Sequence, residues 1–399
     1  MLILDTSFRE RTPAETFEYV HQYCHRFGIT RLTDITRLDR VGVPVYSAVR
    51  PEARPGSLSV SSGKGLNRED ARLGALCEAI ELSCAEFDPS RHLIFRRPLG
   101  DLERCGYDAY DLGVATPYIK KLSGRQEIDC VRVESLLNGH EAFMPASVIF
   151  LPYGQDTPVF RESSNGLAGG NTLHEAQLHG LLEVIERDVL SFTYVCQCEN
   201  TITDIATPTF DELRAQIEAA ELRLHVTSVV NQYGLPLFVA YLFESKDELG
   251  VLVSRGQGLH LRKDIALHRA VTEAIQSRLT HIQGARDDII GRHLHYQSLG
   301  HATELRDVTR LSTKLNALPK LSYSQITSKA PELKGTDEYL NWLLRHLYSI
   351  GFCEPYFFNL TVYTDDFHIV KVVAPGMEFL SPKTMYLGRR LLACLAEIE

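Results

Sequence analysis

The sequence predicts an α+β fold, in which amphipathic helices pack on β-sheets. Helix signals and strand signals alternate along the 399 residues, and one helix signature recurs three times. The composition, 44% hydrophobic and 23% charged, is globular, and the length allows a large core or a few packed subdomains. No low-complexity linker interrupts the chain, so we expect one intertwined unit.

The first predicted element is an N-terminal helix. Thr12 is a capping residue, Pro13 falls in the first turn, and Gly28 supplies a stop signal. Residues 1–30 are therefore predicted to form an N-terminal helical extension.

Strands and further helices follow along the chain. The segments ITRLTDITRL and VPVYSAV are predicted strands, and FDELRAQIEAAELRLHVTSVV predicts a helix followed by a strand. Near the end, YFFNLTVY and FHIVKVV flank a polar turn and predict a hairpin. Residues 301–335 have the least regular pattern, and we expect a long surface excursion there.

The recurring helix signature occupies three units, at about 61–87, 163–192 and 256–283. Each copy has glycines at its start, an alanine, a glutamate seven residues later, and an acidic or amide side chain three residues beyond. These positions are Glu78 and Glu81, Glu183 and Glu186, and Glu273 and Gln276.

The glutamate pairs are predicted to be buried, because the helices that carry them are apolar around most of their circumference. Side chains three residues apart share one helix face, with bases about 5 to 6 Å apart. Two like charges in such surroundings repel each other and lose hydration, so a cation must meet them. Since no thiol or histidine is in register, all-oxygen ligation of Mg²⁺ is expected, with a structural ion-pair network as the alternative.

The loops before these helices carry features of phosphate-binding sites. Ser61-Ser62-Gly63-Lys64-Gly65 offers hydroxyls, backbone amides and a lysine just before a helix start, where the helix dipole favours anions. Ser163-Ser164-Asn165-Gly166 offers the same before the second helix. Neither segment has the spacing of a Walker loop or a dinucleotide fingerprint. Arg278 and Arg286 could serve a triphosphate, or they could pair with surface carboxylates.

These motifs resemble the YcaO family, whose members are ATP-dependent modifiers of peptide backbones. The resemblance runs from about residue 30 to about 378 and is carried by SSGKGLNREDA, SSNGLAGGNTLHEA with HGLLEVIERD, and ALHRAVTEAIQSR. It implies a YcaO-like domain over 31–399, with repeated two-layer helix-on-sheet subdomains and mixed or antiparallel sheets. In the family's Ser-x-x-x-Glu-x-x-Glu-Arg helices, Gly74 and His179 replace the serine here, and only the second helix keeps the arginine, Arg187.

The resemblance implies ATP and Mg²⁺ as cofactors and a role for each candidate residue. The implied metal ligands are Glu78, Glu81, Glu183 and Glu186. The implied nucleotide-binding residues are Ser62, Lys64, Ser164, Asn165, Glu273, Gln276, Arg278 and Arg286. The implied catalytic cations are Lys64, Arg187, Arg278 and Arg286. The expected reaction is O-phosphorylation of a backbone amide, which needs positioning and electrostatics but no covalent enzyme nucleophile.

The attacking nucleophile distinguishes two products. Azoline-forming relatives use a neighbouring Cys, Ser or Thr and typically end in a Pro-x-Pro-x-Pro tail, whereas this sequence ends in CLAEIE. LTDITRLDRVGVPVYSAVRP and VVAPGMEF look more like the subgroup that works with a TfuA partner and installs a thioamide. We therefore expect a peptide or protein substrate, a TfuA-like partner and a sulfide donor. Azoline formation, an accessory nucleotide-binding role and a structural scaffold stay open.

Composition limits the other functions. The formal net charge of -9, without a dense basic run, argues against a nucleic-acid partner. No apolar run approaches the roughly 18 to 20 residues of a membrane span, and the start is not a secretory signal, so we expect a cytoplasmic protein. A homodimer is one option for assembly. The nine cysteines are dispersed and are predicted to be reduced core thiols, and His21 and His25, which have the spacing of a metal site, to be a surface or half-buried pair.

Overall fold

The architecture is α+β, as predicted. The computed structural model describes residues 1–116, 119–120, 122–154, 159–244, 251–380 and 386–398. The described strands form four sheets, in which all pairs are antiparallel except one.

The N-terminal part contains two short strands before its helix, so residues 1–30 are only partly helical. Its elements are β1 (Leu2–Ile3), β2 (Phe8–Arg9), α1 (Pro13–His21), β3 (Arg31–Asp34), β4 (Val45–Val49), β5 (Val60–Lys64) and α2 (Arg68–Ala85). Helix α1 starts where the sequence predicts, because Glu15 N donates to the Thr12 hydroxyl and Thr12 N donates to the Glu15 carboxylate. Strands β3, β4 and β5 form an antiparallel sheet, and α2 packs on it.

The next part of the chain adds strands of a larger sheet and the second glutamate helix. Its elements are β6 (Phe95–Pro98), β7 (Glu127–Ser135), β8 (Glu141–Pro145), α3 (Ala146–Ile149), β9 (Leu167–Gly170) and α4 (Leu173–Phe192). The third glutamate helix follows a meander of strands. Its elements are β10 (Glu199–Thr203), α5 (Pro208–Ala219), β11 (Leu222–Val229), β12 (Leu237–Glu244), β13 (Val253–Leu259) and α6 (Lys263–Gln283).

The last part of the chain is more helical than the sequence predicts. Its elements are α7 (Ile290–Leu299), α8 (His301–Asn316), β14 (Lys320–Ser322), α9 (Thr336–Ser349), β15 (Tyr356–Asn359), β16 (His368–Val373) and α10 (Arg389–Ile398). The predicted surface excursion over 301–335 is wrong for its first half. Helix α8 is largely polar, but Val308, Leu311 and Leu315 recur at helical spacing and pack against the core, so its sequence carries the periodicity of a helix. The predicted hairpin forms from β15 and β16.

One sheet brings the late strands β15 and β16 beside strands from earlier in the chain. Strands β15 and β16 join β6, β7 and β9 in one antiparallel sheet, with β8 paired to β7. A second sheet has the order β13-β12-β11-β10-β14, with β10 and β14 parallel. The isoleucines of the repeated signature, Ile80, Ile185 and Ile275, are buried in three separate apolar clusters. None of the helices in the described ranges is long and apolar enough to cross a bilayer.

One pair of cysteines departs from the prediction of reduced thiols. Cys196, just beyond the end of α4, forms a disulfide with Cys394 of α10. The two residues are 198 positions apart in the sequence. They become neighbours only because α10 packs beside α4, and spacing alone does not reveal such connectivity.

Candidate active site

Helices α2, α4 and α6 carry the repeated acidic and amide positions to one cleft of about 700 Å³. The predicted site residues that line it are Ser62, Lys64, Glu78, Glu81, Ser164, Glu183, Glu186, Arg187, Glu273, Gln276 and Arg286. This volume lies within the range of about 300 to 1,000 Å³ that is usual for small-molecule sites. The four glutamates predicted to bind metal thus share one cavity.

Glycines let the strands approach the helices closely. A Cβ on Gly63 of β5 would lie 2.0 Å from Ala75 N of α2, and a Cβ on Gly256 of β13 would lie 2.1 Å from Ala274 N of α6. Side chains cannot come that near to a backbone, so these contacts require glycine. These glycines therefore let each helix pack directly on the strand that precedes it.

Backbone N–H groups of two strands hold the glutamates of α2. Ser62 N of β5 donates to Glu78 Oε2 at 2.8 Å, and Gly169 N of β9 donates to Glu81 Oε1 at 2.7 Å. The two carboxylates are therefore fixed by strands of different sheets.

The other two helices extend this arrangement. Leu259 N of β13 donates to Glu186 Oε2 of α4 at 2.8 Å, and Gln276 Nε2 of α6 donates to the Ser62 carbonyl of β5. In all three helices, the second acidic or amide side chain bonds to the strand that precedes the next helix, in cyclic order. These three contacts form a ring, and the cleft lies at its centre.

Burial raises the pKa of three carboxyl groups in the cleft. Desolvation raises the pKa of Glu81 to about 8 and that of Glu183 to about 7, and it raises the pKa of Glu78. The charges of Glu183 and Glu78 raise the pKa of Glu81 further. A bound divalent cation would favour the charged forms of all three groups.

The donor set fits Mg²⁺. In the described parts of the chain, Glu78, Glu81 and Glu183 make no salt bridge, so no lysine or arginine neutralises them directly. Carboxylates are preferred Mg²⁺ ligands, and the ion usually keeps several waters beside one or two carboxylates and substrate phosphates. No three acidic, histidine or cysteine side chains among the described residues could hold a metal by themselves. Water and phosphate would have to complete the coordination.

Two cations of the cleft lie beside carboxylates. Lys64 Nζ is 2.6 Å from Glu273 Oε2, and Arg187 is 3.9 Å from Glu186. Burial opposes ionisation of Glu273, but Lys64 and Arg187 outweigh it and lower the pKa of that carboxyl. Positive charge is therefore available on two sides of the acidic cluster.

Arg286 supplies a third cation at another part of the cleft wall. It pairs with Asp288 at 2.9 Å, and its charge partly offsets the burial that raises the pKa of Glu78. The sequence left open whether Arg286 faces a ligand or a carboxylate, and the structure shows that it lines the cleft while pairing with Asp288.

Two predicted nucleotide-binding residues lie outside this cleft. Arg278 is buried on the far side of α6, where it bonds to Asp39 at 3.0 Å and to Glu244 at 2.8 Å. Its predicted role on phosphate is therefore wrong, because its guanidinium is held by two buried carboxylates. Asn165 precedes the tight turn at positive-φ Gly166 and lines a separate, much smaller cavity beside Lys371. Its side-chain oxygen has no hydrogen-bond partner within the described ranges.

Other side chains of the cleft wall were not predicted. Arg255 and Arg269 line it, and the Nε atom of each has no hydrogen-bond partner. His179 lines it too, and burial holds its pKa well below the usual value, so the ring is neutral. Arg9 of the N-terminal segment reaches the cleft and pairs with Glu175 at 3.0 Å.

Neither Cys77 nor the histidine pair, His21 and His25, adds a reactive group to the cleft. Cys77 lines the cleft, but burial raises the pKa of its thiol, so it stays protonated at neutral pH and is a poor nucleophile. His21 and His25, expected to be a surface or half-buried pair, are both exposed.

A family model matches most of the chain. It describes a YcaO cyclodehydratase that binds ATP and Mg²⁺, and it covers residues 62–378. This chain belongs to the YcaO family. The matched range contains all the glutamates of the cleft together with Lys64, Arg187 and Arg286. The family expected from the sequence motifs is therefore confirmed, and ATP and Mg²⁺ are the cofactors of that family.

Relatives of this YcaO chain extend over most of its length. A protein of Methanothermobacter thermautotrophicus, called uncharacterized, is 32% identical over 393 residues, which cover 95% of this chain and 97% of that protein. A protein of Rhizobium leguminosarum bv. trifolii, described by its place in the tfuA 3′ region, is 33% identical over 321 residues. These cover 77% of this chain and 75% of that protein.

Solved structures share the YcaO fold. YcaO from Methanopyrus kandleri, bound with AMPPCP and Mg²⁺, has a TM-score of 0.74 and 22% identity, over 93% of this chain and 92% of that one. A heterocyclase in complex with substrate and cofactor has a TM-score of 0.71 and 23% identity, over 93% of this chain and 53% of that one. At these identities the likeness concerns the fold, and it confirms the predicted YcaO-like architecture.

Proposed function

We propose that this chain is an ATP- and Mg²⁺-dependent enzyme that activates a peptide backbone amide through its oxygen. One observation carries the proposal: carboxylates of α2 and α4 share a single cleft with the cations Lys64, Arg187 and Arg286. Membership of the YcaO family supports ATP and Mg²⁺ as the ligands. Two solved relatives, one bound with AMPPCP and Mg²⁺ and one in complex with substrate and cofactor, support the same assignment.

The residues of the cleft divide into two groups. Glu78, Glu81, Glu183 and Glu186 would hold Mg²⁺, since three of them make no salt bridge and the fourth is held by Leu259 N. Lys64, Arg187 and Arg286 would face the phosphates, while Ser62, Ser164, Glu273 and Gln276 would surround the nucleotide. Ser62 is suited to this, because its hydroxyl is buried at the cleft and has no hydrogen-bond partner among the residues that the structure describes.

The chemistry needs charge stabilisation rather than a covalent enzyme nucleophile. When bound with Mg²⁺, ATP supplies the phosphoryl group that turns the amide oxygen into a leaving group. The ammonium of Lys64 and the guanidinium of Arg187 are held near the acidic cluster before any ligand arrives, so they can stabilise developing negative charge without reorganisation. Cys77 stays protonated, so it does not attack the substrate.

For the product, we favour a thioamide made with a TfuA-type partner. The relative from the tfuA 3′ region supports this choice. A hydrosulfide would attack the activated amide carbon, the new C–S bond would form, and the C–O bond would break as phosphate leaves with the former amide oxygen. A proton lost from sulfur completes the C=S bond. The sulfide must come from a donor, because the cysteine of the cleft, Cys77, is held as a neutral thiol.

Azoline formation is the second candidate. The family model describes a cyclodehydratase, and a heterocyclase is among the proteins with the same fold. In that reaction, a neighbouring side chain of the peptide attacks the activated carbon and no sulfide is consumed. The third candidate is an accessory protein that binds nucleotide without catalysis and supports another modifying enzyme.

Intact-mass analysis separates these functions. The chain is incubated with Mg²⁺, ATP, candidate peptides, a TfuA-type protein and sodium sulfide, and phosphate release is followed in parallel. Exchange of oxygen for sulfur adds about 16 Da to the peptide, whereas loss of water in azoline formation removes about 18 Da. Phosphate release that rises with peptide and partner, with the heavier product, supports the proposal. Nucleotide binding without phosphate release under any of these conditions contradicts it and favours the accessory role.

A further inference from the structure

Beside the disulfide from Cys196 to Cys394, a buried ion pair attaches the C-terminal helix α10 to the back of helix α4. Arg390 Nη1 is 2.5 Å from Asp188 Oδ1, and Arg390 Nη2 is 3.2 Å from Asp188 Oδ2. Asp188 is 1% exposed. The guanidinium thus binds both oxygens of a carboxylate that water does not reach, a geometry that fixes orientation as well as distance.

Further groups complete the environment of this pair. Asp188 also accepts hydrogen bonds from Tyr233 Oη at 2.7 Å and from Glu378 N at 2.6 Å. The Arg390 guanidinium stacks over the rings of Phe192 and Phe352, with centroids at 4.9 and 4.8 Å. Both partners are therefore held from several sides, and neither can turn without breaking other contacts.

Glu378 holds the start of α10 in place. Its carboxylate accepts from Gly388 N at 2.9 Å, Arg390 N at 2.9 Å and Leu391 N at 3.2 Å. A carboxylate at a helix N-terminus is also stabilised by the helix dipole. Leu391, fully buried, anchors the same turn. Helix α10 thus presents Arg390 to α4 from a fixed position.

Asp188 lies directly behind the candidate active site. It follows Arg187 and comes two residues after Glu186, so helical geometry places it about 160° around α4 from that glutamate. Glu186 and Arg187 line the cleft on one side of α4, while Asp188 is locked on the other. Rotation of α4 about its axis would move both sets of side chains together.

We propose that Arg390 is a positioning residue, which holds α4 by Asp188 in the rotation that directs Glu183, Glu186 and Arg187 into the cleft. This inference rests on the proposed function, in which those side chains meet Mg²⁺ and nucleotide. Arg390 lies beyond the range 62–378 matched by the family model. Through this Arg390–Asp188 ion pair, here called the clamp, helix α10 would contribute to the binding of Mg²⁺ and nucleotide.

The test compares two adjacent arginines in the full chain. Arg390→Ala removes the clamp, and Arg389→Ala is the matched control, because Arg389 is 63% exposed and pairs with Asp108 and Asp111 on the surface. The first readout is amide hydrogen exchange of residues 183–192 in the ligand-free protein. The second is the affinity for Mg²⁺ with AMPPCP, measured by calorimetry.

We expect Arg390→Ala to speed exchange in this part of α4 and to weaken nucleotide binding by about 10-fold or more, as loss of outer partners of metal ligands commonly does. Arg389→Ala should match the wild type in both readouts. Wild-type exchange and affinity in Arg390→Ala would overturn the inference. An equal loss in both variants would also overturn it, since this would reflect general destabilisation.

Arg390→Lys keeps the inference testable if the alanine variant does not fold. Lysine keeps the charge, but a single ammonium does not bind two carboxylate oxygens in the way that a guanidinium does. We expect it to weaken nucleotide binding less than alanine does, and wild-type affinity would overturn the clamp. If the wild type does not bind Mg²⁺ with AMPPCP at all, the proposed function fails, whereas hydrogen exchange in the ligand-free protein still decides whether the clamp holds α4.

Discussion

Lys64 Nζ on β5 lies 2.6 Å from Glu273 Oε2 on α6, so an ion pair joins the first and third helix-loop units across the cleft. Lys64 belongs to the segment that precedes α2, and Glu273 is the first acidic position of the third signature. The contact shows that residues of different repeat units, far apart in the sequence, meet at one place. It also makes Lys64 the cation whose removal should affect the acidic cluster most directly.

Lys64→Gln should weaken binding of Mg²⁺ with AMPPCP. The change removes a donor for phosphate and leaves Glu273 without its nearest cation. Hydrogen bonds to charged groups contribute about 1.5 to 3 kcal/mol, so affinity should fall about 10-fold or more. Calorimetry measures this, with Arg68→Gln as the control, because Arg68 is a 69% exposed residue close in sequence. An unchanged affinity in Lys64→Gln would remove Lys64 from the site.

The carboxyl groups of Glu81 and Glu183 should make the metal-free protein less stable as pH rises from about 5 towards 8. The difference between the wild type and Glu81→Gln isolates this contribution from the opposite effect of buried histidines such as His179. The pKa of Glu81 is about 8 and that of Glu183 about 7 in the folded protein, against a usual value of 4.5. Between these values the folded state binds more protons than the unfolded state, so rising pH favours unfolding. Above about pH 8 this contribution levels off.

Mg²⁺ with AMPPCP should stabilise the protein more at about pH 8 than at about pH 6. Metal binding must displace the protons held by Glu81 and Glu183, and fewer protons remain at the higher pH. Thermal unfolding with and without the ligand, at both pH values, measures the effect. Glu81→Gln should reduce the pH dependence in the metal-free protein. The same ligand stabilisation at both pH values would show that these carboxyl groups do not receive the metal.

Gly63→Ala should destabilise the fold by about 1 to 3 kcal/mol or more, because the new methyl group has no room. Its Cβ would lie 2.0 Å from Ala75 N, and backbone atoms cannot give way as a flexible side chain could. Gly291→Ala is the control, since a Cβ there meets open space in helix α7 and should be neutral or slightly stabilising. Urea unfolding measures both. Equal stability of the two variants would contradict the close packing of α2 on β5.

Arg278→Met should reduce stability and leave nucleotide binding nearly unchanged in the folded fraction. It removes the arginine beside the buried Asp39 and leaves Glu244 paired with Arg40, and breaking a buried pair commonly costs about 3 to 5 kcal/mol. Arg286→Met should show the opposite pattern, with weaker nucleotide binding and a small change in stability. Urea unfolding and calorimetry distinguish the two. Lost nucleotide affinity in a fully stable Arg278→Met would restore the role first predicted for Arg278.

Much of this site follows from helical periodicity in the sequence. The spacing from alanine to glutamate predicts three buried helices, and α2, α4 and α6 lie within the predicted units, each after a strand. Buried glutamates in phase on such helices have to share a neutralising partner, which is why one cleft could be expected. Local pattern was sufficient because the glycines, alanines and glutamates of each unit act within about 20 residues of one another.

The same helical periodicity predicts which of Arg269 and Arg278 on α6 faces the cleft. Arg269 comes four residues before Glu273 and therefore shares its face, whereas Arg278 comes five residues after it, about 140° around the helix. The structure agrees, since Arg269 lines the cleft and Arg278 lies in the core. Asn165 could not be excluded in this way, because the direction of its side chain depends on the turn at Gly166.

Contacts between distant segments could not be predicted. Arg9 reaches Glu175 across 166 positions, and Arg390 reaches Asp188 across 202. Neither arginine belongs to a repeated pattern, and each lies in a short element whose position is set by packing against the rest of the chain. Prediction of such partners requires the arrangement of the sheets, which the sequence pattern alone does not supply.

The proposed function requires the carboxylates of α2 and α4 to bind Mg²⁺ together with nucleotide. Calorimetry of Glu78→Gln and Glu183→Gln with Mg²⁺ and AMPPCP measures this binding, with Glu69→Gln as the control, because Glu69 is an exposed residue of the same helix as Glu78. We predict that both site variants remain folded and lose most of their affinity, while Glu69→Gln binds as the wild type does. Wild-type affinity in both Glu78→Gln and Glu183→Gln would show that these carboxylates do not bind Mg²⁺ with the nucleotide.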